Sequence, residues 1–252
     1  MASQGDGNTI DPMESARRLA GPALQKRFYR QAEARLEDGG YTLRLDGKRA
    51  NTPGRHPLAV ADPRIGEAVA AEWNAQSELI EPATMPVTRL ANTAIDGVAE
   101  RMEEVRGDIV AYAGADLLCY RAGEPEALVA RQSEFWDPIL AWAEGRFGGR
   151  FVLAEGVMHV GQPRNTIAAV GAELGRYDDP FRLAGLHLAT TLTGSALIAL
   201  GLQAGAIGIE RAWAAAHVDE DWQISQWGAD AEATERRRRR FEDFRAAALA
   251  IA

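Results

Sequence analysis

The chain predicts an α+β protein, with a small N-terminal antiparallel sheet and one packed helix followed by a larger all-helical domain. Three observations carry that reading. Apolar and polar residues alternate before residue 61, prolines break the chain at 79–86, and beyond the break apolar residues recur every three or four positions.

The elements follow in order. From Phe28 to Leu36 the positions Phe28, Ala32, Ala34 and Leu36 share one face, with Arg30 an exception. Residues 37–40 form a turn, and Tyr41, Leu43 and Leu45 then alternate with Thr42 and Arg44. Asp46-Gly47 predicts a type I′ hairpin turn, which requires positive φ at both central residues. A further edge follows near Pro57–Val60. Asp62-Pro63 then places an acceptor at an N-cap and a proline at the first helical position. Ile65, Val69 and Trp73 form a stripe that can lie across the sheet. Residues 1–24 read as a flexible lead-in, 25–85 as the α/β domain and 86–252 as the helical domain.

Within the helical part, Leu90, Ala94, Val98, Met102, Val105 and Ile109 form one apolar series. Pro125 opens a helix with the stripe Leu128, Phe135, Ile139 and Trp142, stopped by Gly148-Gly149. Residues 150–160 are a candidate strand or hairpin returning to the N-terminal sheet. Asp179-Pro180 repeats the cap signature ahead of the charge-free run Leu183–Leu202. Its His187, threonines and glycines suit a buried central helix better than a membrane span. Two further helices are expected, Ile209 to about Gly228 and Ala231 to about Leu249.

Composition narrows the chemistry. The 252 residues are 46% hydrophobic and 25% charged, an ordinary globular balance. A net charge of −8 argues against a protein built around phosphate backbone. Cys119 stands alone, so neither an intrachain disulfide nor a cysteine zinc cage is available. The first residues lack the apolar stretch of a secretory signal and carry Asp6, Asp11 and Glu14, so a cytoplasmic bacterial protein without membrane insertion is expected.

Catalytic candidates are few. Ser195 lacks a nucleophile elbow, and Cys119 sits in an apolar setting that disfavours the thiolate. His217 and Asp221, at i and i+4, could share an ion with Glu220 nearby, and with His187 they define an alternative reading as a small metal-dependent or hydrolytic enzyme. The competing reading gives each histidine an ordinary hydrogen bond or ion pair.

Near the C-terminus, Asp219, Glu220 and Asp221 precede Trp222, Gln223, Trp227, Gly228, Asp230 and Glu232, and five arginines follow at 236–240. Five consecutive arginines wrap around a helix, and Glu232–Arg236 and Glu235–Arg239 have the favourable i, i+4 order, which predicts a self-neutralised helix over a nucleic-acid contact. The acidic turn admits two readings, a partner interface or a buried tryptophan pair flanked by acids.

These segments carry a resemblance. GluTrpAsnAlaGln at 72–76, MetProValThrArgLeuAlaAsnThrAlaIleAsp at 85–96 and AspLeuLeuCysTyrArgAla at 116–122 come first. TrpAspProIleLeu at 136–140, LeuThrGlySer at 192–195 and the acidic segment 219–232 follow. In that order, from about Arg27 to near the C-terminus, the set resembles the assembly-chaperone family for the α subunit of the F-type ATP synthase, ATPase assembly factor twelve, in a bacterial form. The resemblance implies a two-domain monomer that holds the free α subunit until the β subunit takes its place, without catalysis, cofactor or metal. Carried over position by position, it assigns partner binding to Glu220, Asp221, Gln223, Trp227, Asp230 and Glu232, and motif or structural roles to Trp73, Asn92, Asp96 and Gly228.

Overall fold

The computed structural model describes residues 24–156 and 160–252; the expected lead-in, up to residue 23, and residues 157–159 lie outside the described residues. Strands β1 (Ala32–Glu37) and β2 (Gly40–Leu45) pair antiparallel, and the far edge of β2 is shared by two short strands, β3 (Lys48–Arg49) and β4 (Ala59–Val60). Both β1–β2 and β2–β3 are joined by two-residue turns. At the second, Asp46 and Gly47 have φ of 47° and 78°, as the type I′ signal required.

Helix α1 (Pro63–Asn74) packs on β1 and β2, with Asp62 as its N-cap and Ile65, Val69 and Ala70 buried. A 3₁₀ turn at Pro82–Thr84 leads into α2 (Pro86–Thr93), which runs into a π-helical turn at Ala94–Val98, and then α3 (Met102–Gly114). The remaining helices are α4 (Glu126–Phe147), α5 (Arg164–Leu174), α6 (Pro180–Thr193), α7 (Ala196–Gln203), α8 (Ile209–Ala216), α9 (Val218–Trp227) and α10 (Ala231–Ile251). A small antiparallel sheet followed by helices is the predicted α+β class.

Four expectations change in detail. The described residues of segment 150–160 do not return to the four-stranded sheet: β6 (Ala154–Glu155) pairs parallel with β5 (Tyr120–Arg121) in a separate two-stranded sheet. The run 183–202 is central, but it is two helices. Gly194 adopts φ 68° and the Ser195 hydroxyl accepts the Ile198 N–H, ending α6 and restarting the chain as α7. Ile209 to Gly228 also divides, at His217, whose backbone (φ −120°) is outside the helical region. In α4 the buried face is centred on Gln132, Trp136, Ile139 and Ala143, with Phe135 and Trp142 only partly covered. Trp136 takes the centre because its indole N–H reaches the Ala215 carbonyl at 2.7 Å, satisfying the ring's polar atom inside the core.

Helix α6 is the hub, packing against α2, α3, α7 and α10. The buried apolar side chains of sheet and helices form one continuous cluster. Two carboxylates join its parts. Glu72 of α1 accepts the Val87 and Thr88 backbone N–H groups and the Thr88 hydroxyl, each at 2.7 Å, and so caps α2 from outside. Asp96, in the π-turn, accepts the Thr52 hydroxyl at 2.5 Å and the Gly54 N–H at 2.8 Å and lies 2.9 Å from His56 Nδ1. Loss of the Glu72 cap is expected to cost about 2 kcal/mol for Glu72→Ala, measured as a shift in the urea midpoint at unchanged m-value.

Candidate functional site

Helices α9 and α10, joined through residues 228–230 and bridged by the Asp221–Arg237 ion pair, form a helical hairpin at the surface. Asp219, Glu220 and Asp221 occupy the first turn of α9, where the helix dipole favours negative charge. The hairpin is anchored to α4 through Gln132, whose amide donates to Asp219 at 2.7 Å. Gly228 ends α9 with φ 89° and ψ 165°, a backbone shape that other residues rarely adopt. Asp230 then caps α10 by accepting the Ala233 N–H at 2.7 Å. Between the two helices lies a groove of about 600 Å³, lined by Glu220, Asp221, Ile224, Trp227, Ala233 and Arg237 among others.

The six positions expected to bind a partner fall on this hairpin, in different states. Trp227 is 88% exposed, and Gln223 and Glu232 are also exposed. Glu220 is partly open, 3.8 Å from His217 Nε2. Asp221 is engaged within the chain: it pairs with Arg237 and lies 4.0 Å from Arg131. Asp230 serves as the cap. Trp222 is half-buried and Trp227 open, so these two do not make the buried tryptophan pair that was the competing reading.

Each arginine of the basic run has an internal partner. Arg236 meets Glu232 at 3.3 Å, Arg237 meets Asp221, Arg238 and Arg239 share Glu235 at 2.8 and 2.9 Å, and Arg240 donates to the Leu192 carbonyl at 2.8 Å. The two arginines hold the Glu235 carboxyl down to about 2. The i, i+4 pairs that the spacing predicted are present, but the run is not fully neutralised within its helix: five arginines meet three carboxylates, one of them on α9, and a carbonyl.

His217, Asp221 and His187 do not converge. The His217 ring is buried against Trp213, its Nδ1 is 2.8 Å from the Trp213 carbonyl, and desolvation lowers its pKa. His187 lies on α6, 3.7 Å from Asp108. No group of three or more His, Cys, Asp or Glu side chains suited to an ion occurs among the described residues. Cys119 is buried, and desolvation pushes its thiol up to about 12. Ser195 is enclosed and donates to Asp116 at 2.6 Å.

The motif residues outside the hairpin hold the fold together. In the 72–76 segment, Glu72 caps α2, and Asn74 exchanges hydrogen bonds of 2.7 and 2.8 Å with the Ala32 backbone, acting as a strand partner at the edge of β1. Gln76 accepts the Glu81 N–H and donates to Thr84. Trp73 is only half-buried: its ring lies 5.4 Å from that of Tyr29, and its carbonyl accepts the Tyr29 hydroxyl at 2.6 Å. Trp73→Ala is thus expected to cost about 2–3 kcal/mol, below a fully buried tryptophan, with a lower melting temperature as the check. The Asn92 Oδ1 atom is buried without a hydrogen-bond partner among the described residues.

The sequence reading missed Asp116. Fully buried, it accepts from Ser195 Oγ, the Leu118 N–H at 3.1 Å and the Leu197 N–H at 3.0 Å, and so ties the segment after α3 to the start of α7. An acid opening the apolar string AspLeuLeuCysTyr was the available signal.

The hairpin thus presents an exposed tryptophan and acids at the surface, with Gly228 and the Asp230 cap shaping its turn. The family model for the ATP12 chaperone protein matches residues 26–144. Among solved structures, a candidate chaperone from Agrobacterium tumefaciens, Atu1473, is 49% identical with a TM-score of 0.86, covering 97% of this chain and 91% of that one. Atp12 from Paracoccus denitrificans is 36% identical with a TM-score of 0.82, covering 90% of this chain and 97% of that one, and a point mutant of it matches at 36% and 0.81, covering 89% and 96%. The chain belongs to the ATP12 chaperone family. It is accordingly an ATP synthase assembly chaperone, as the ordered motifs implied. No helix among the described residues is long and apolar enough to cross a membrane.

Proposed function

We propose that this chaperone binds the free α subunit of the F-type ATP synthase in the cytoplasm as a monomer, and holds it without catalysis until the β subunit replaces it. Residues 25–85 and 86–252 act as its two lobes. The observation that carries this reading is Trp227, almost wholly exposed beside Glu220 and Gln223 on a hairpin whose turn is shaped by Gly228 and the Asp230 cap. Exposed aromatics on a rigid support are the side chains that supply binding energy in protein interfaces. A free subunit of a ring presents apolar surface that aggregates unless covered. The internal partners of Arg236–Arg240 favour a protein partner over a nucleic acid.

The hairpin positions do not contribute alike. Glu220, Gln223, Trp227 and Glu232 face outward and contact the client, whereas Asp221, Asp230 and Gly228 give the hairpin its shape. Co-expression with tagged chaperone tests this. Glu220→Lys and Glu232→Lys are each expected to recover severalfold less α subunit with an unchanged circular dichroism spectrum. Recovery at the wild-type level would remove these acids from the interface. Asp221→Asn is expected instead to release Arg237 and lower the melting temperature by a few degrees.

A further inference from the structure

The α9–α10 hairpin projects from the body of the protein. Val218 and Phe244 are buried at its two roots, and none of residues 219–243 between them is buried. Apolar packing therefore does little to fix the direction in which the hairpin points. Polar contacts at the roots set it.

On the α10 side these contacts are open to water. Arg240 reaches the Leu192 carbonyl and Asp243 pairs with Arg89, both at exposed positions where solvent competes. On the α9 side the contact is buried. Gln132 of α4 is 2% exposed, and both ends of its amide are bonded. Its Oε1 accepts the Ala122 N–H at 2.8 Å, which turns Nε2 toward α9 to donate to Asp219 Oδ1 at 2.7 Å. One turn further along the same face of α4, the Trp136 indole holds the Ala215 carbonyl. Helix α4 thus grips the corner at His217 on both sides, at Ala215 before the break and at Asp219 after it. Water does not weaken an enclosed hydrogen bond as it weakens the ion pairs at the other root. Arg131, 4.0 Å from Asp221, adds a looser and more exposed hold beside it.

We propose that Gln132 is a positioning residue for client binding, a buried pin that sets the angle of α9 at the His217 corner and so presents Glu220, Gln223 and Trp227 in one arrangement. This rests on the client reading above. The lever is long enough to matter. From Asp219 to Trp227 the helix rises about 12 Å, so a swing of roughly 10° at the root moves the tryptophan about 2 Å. A pocket on the client that fits the indole in one place loses it after such a shift. A pinned hairpin is also ordered before the client arrives, which removes an entropic cost from binding.

The test pairs a distance measurement with a binding measurement in the full chain. Nitroxide labels on cysteines introduced at Ala127 of α4 and Ser225 of α9, both exposed, report the angle of α9 by double electron–electron resonance, while Cys119 is buried and stays unlabelled. Asp219→Ala deletes the acceptor, and Gln132→Glu sets a second carboxylate against it. Each is expected to broaden the distance distribution and to weaken binding of purified α subunit about tenfold, with an unchanged circular dichroism spectrum. Asp219→Asn removes the charge but keeps an oxygen acceptor, and Gln132→Glu combined with Asp219→Asn restores the bond with donor and acceptor exchanged. Both are expected to return the wild-type distribution, with a Kd within about twofold of wild type. Where Gln132→Glu fails to fold, Asp219→Ala, on the half-buried side of the contact, carries the test. Distributions for Asp219→Ala equal to wild type would overturn the pin. Broadened distributions with an unchanged Kd, while Trp227→Ala still weakens binding, would overturn its role in presentation and leave the client reading standing. A loss in Asp219→Asn as large as in Asp219→Ala would assign the effect to charge and sink the proposal. Wild-type protein that captures no α subunit would overturn the client reading and the presentation together.

Discussion

Replacing Asp116 with alanine is expected to lower folding stability by about 3–5 kcal/mol, although the residue touches no surface. The substitution strands the Leu118 and Leu197 N–H groups and the Ser195 hydroxyl, all buried, and leaves a small cavity where α7 begins. Urea denaturation reports this directly as a lower midpoint at constant m-value. A shift under 1 kcal/mol would mean that water replaces the carboxylate and that the site is wetter than its burial implies.

The same residue gives a pH signature. Burial lifts the Asp116 carboxyl from the ordinary 3.8 to about 6, against the pull of its donors. The folded value is the higher one, so the folded state holds the proton more tightly than the unfolded state. The stabilisation from this group is complete below pH 3.8 and is lost as pH rises through 6. Relative to Asp116→Asn, wild-type stability is expected to fall by up to about 3 kcal/mol across that window. Parallel profiles for the two proteins would show that Asp116 does not titrate there.

Trp227→Ala is expected to do the opposite, sparing the fold and removing binding. With 88% of the residue exposed, its loss should change stability by no more than about 0.5 kcal/mol. As an interface anchor it should cost about 2 kcal/mol of affinity for the α subunit, roughly thirtyfold in Kd. Titration calorimetry with purified α subunit separates the outcomes. An unchanged Kd would move the client contact off the hairpin.

The elements easiest to read in the sequence were those whose signals are local. Asp46-Gly47 named its turn, and Asp62-Pro63 and Asp179-Pro180 named their helix starts, because a cap or a turn is decided within four residues. The Arg236–Arg240 run was legible for the same reason, through i, i+4 geometry. Breaks set by tertiary packing were not. Nothing near His217 resembles a helix stop, yet its ring packs on Trp213 and the backbone turns there. Gly194-Ser195 was visible as a pair, but only Asp116, 79 residues earlier, shows why the chain restarts there. The hairpin was legible as a charge pattern. The sequence did not divide its acids between those facing solvent and those holding the structure, because Arg237 and Arg131 claim Asp221 only once α4, α9 and α10 have met.

The Glu72 clasp has a consequence for synthesis at the ribosome. Glu72 leaves the exit tunnel ahead of Val87 and Thr88, the residues it will cap. Until they emerge it lacks these donors; in the assembled protein burial raises its pKa, while the Val87 and Thr88 donors pull the other way. Helix α1 is thus left holding an open acceptor at the point where the next segment must arrive. Each translated chain carries its own receiving dock, an acceptor in the first half whose donors arrive with the second.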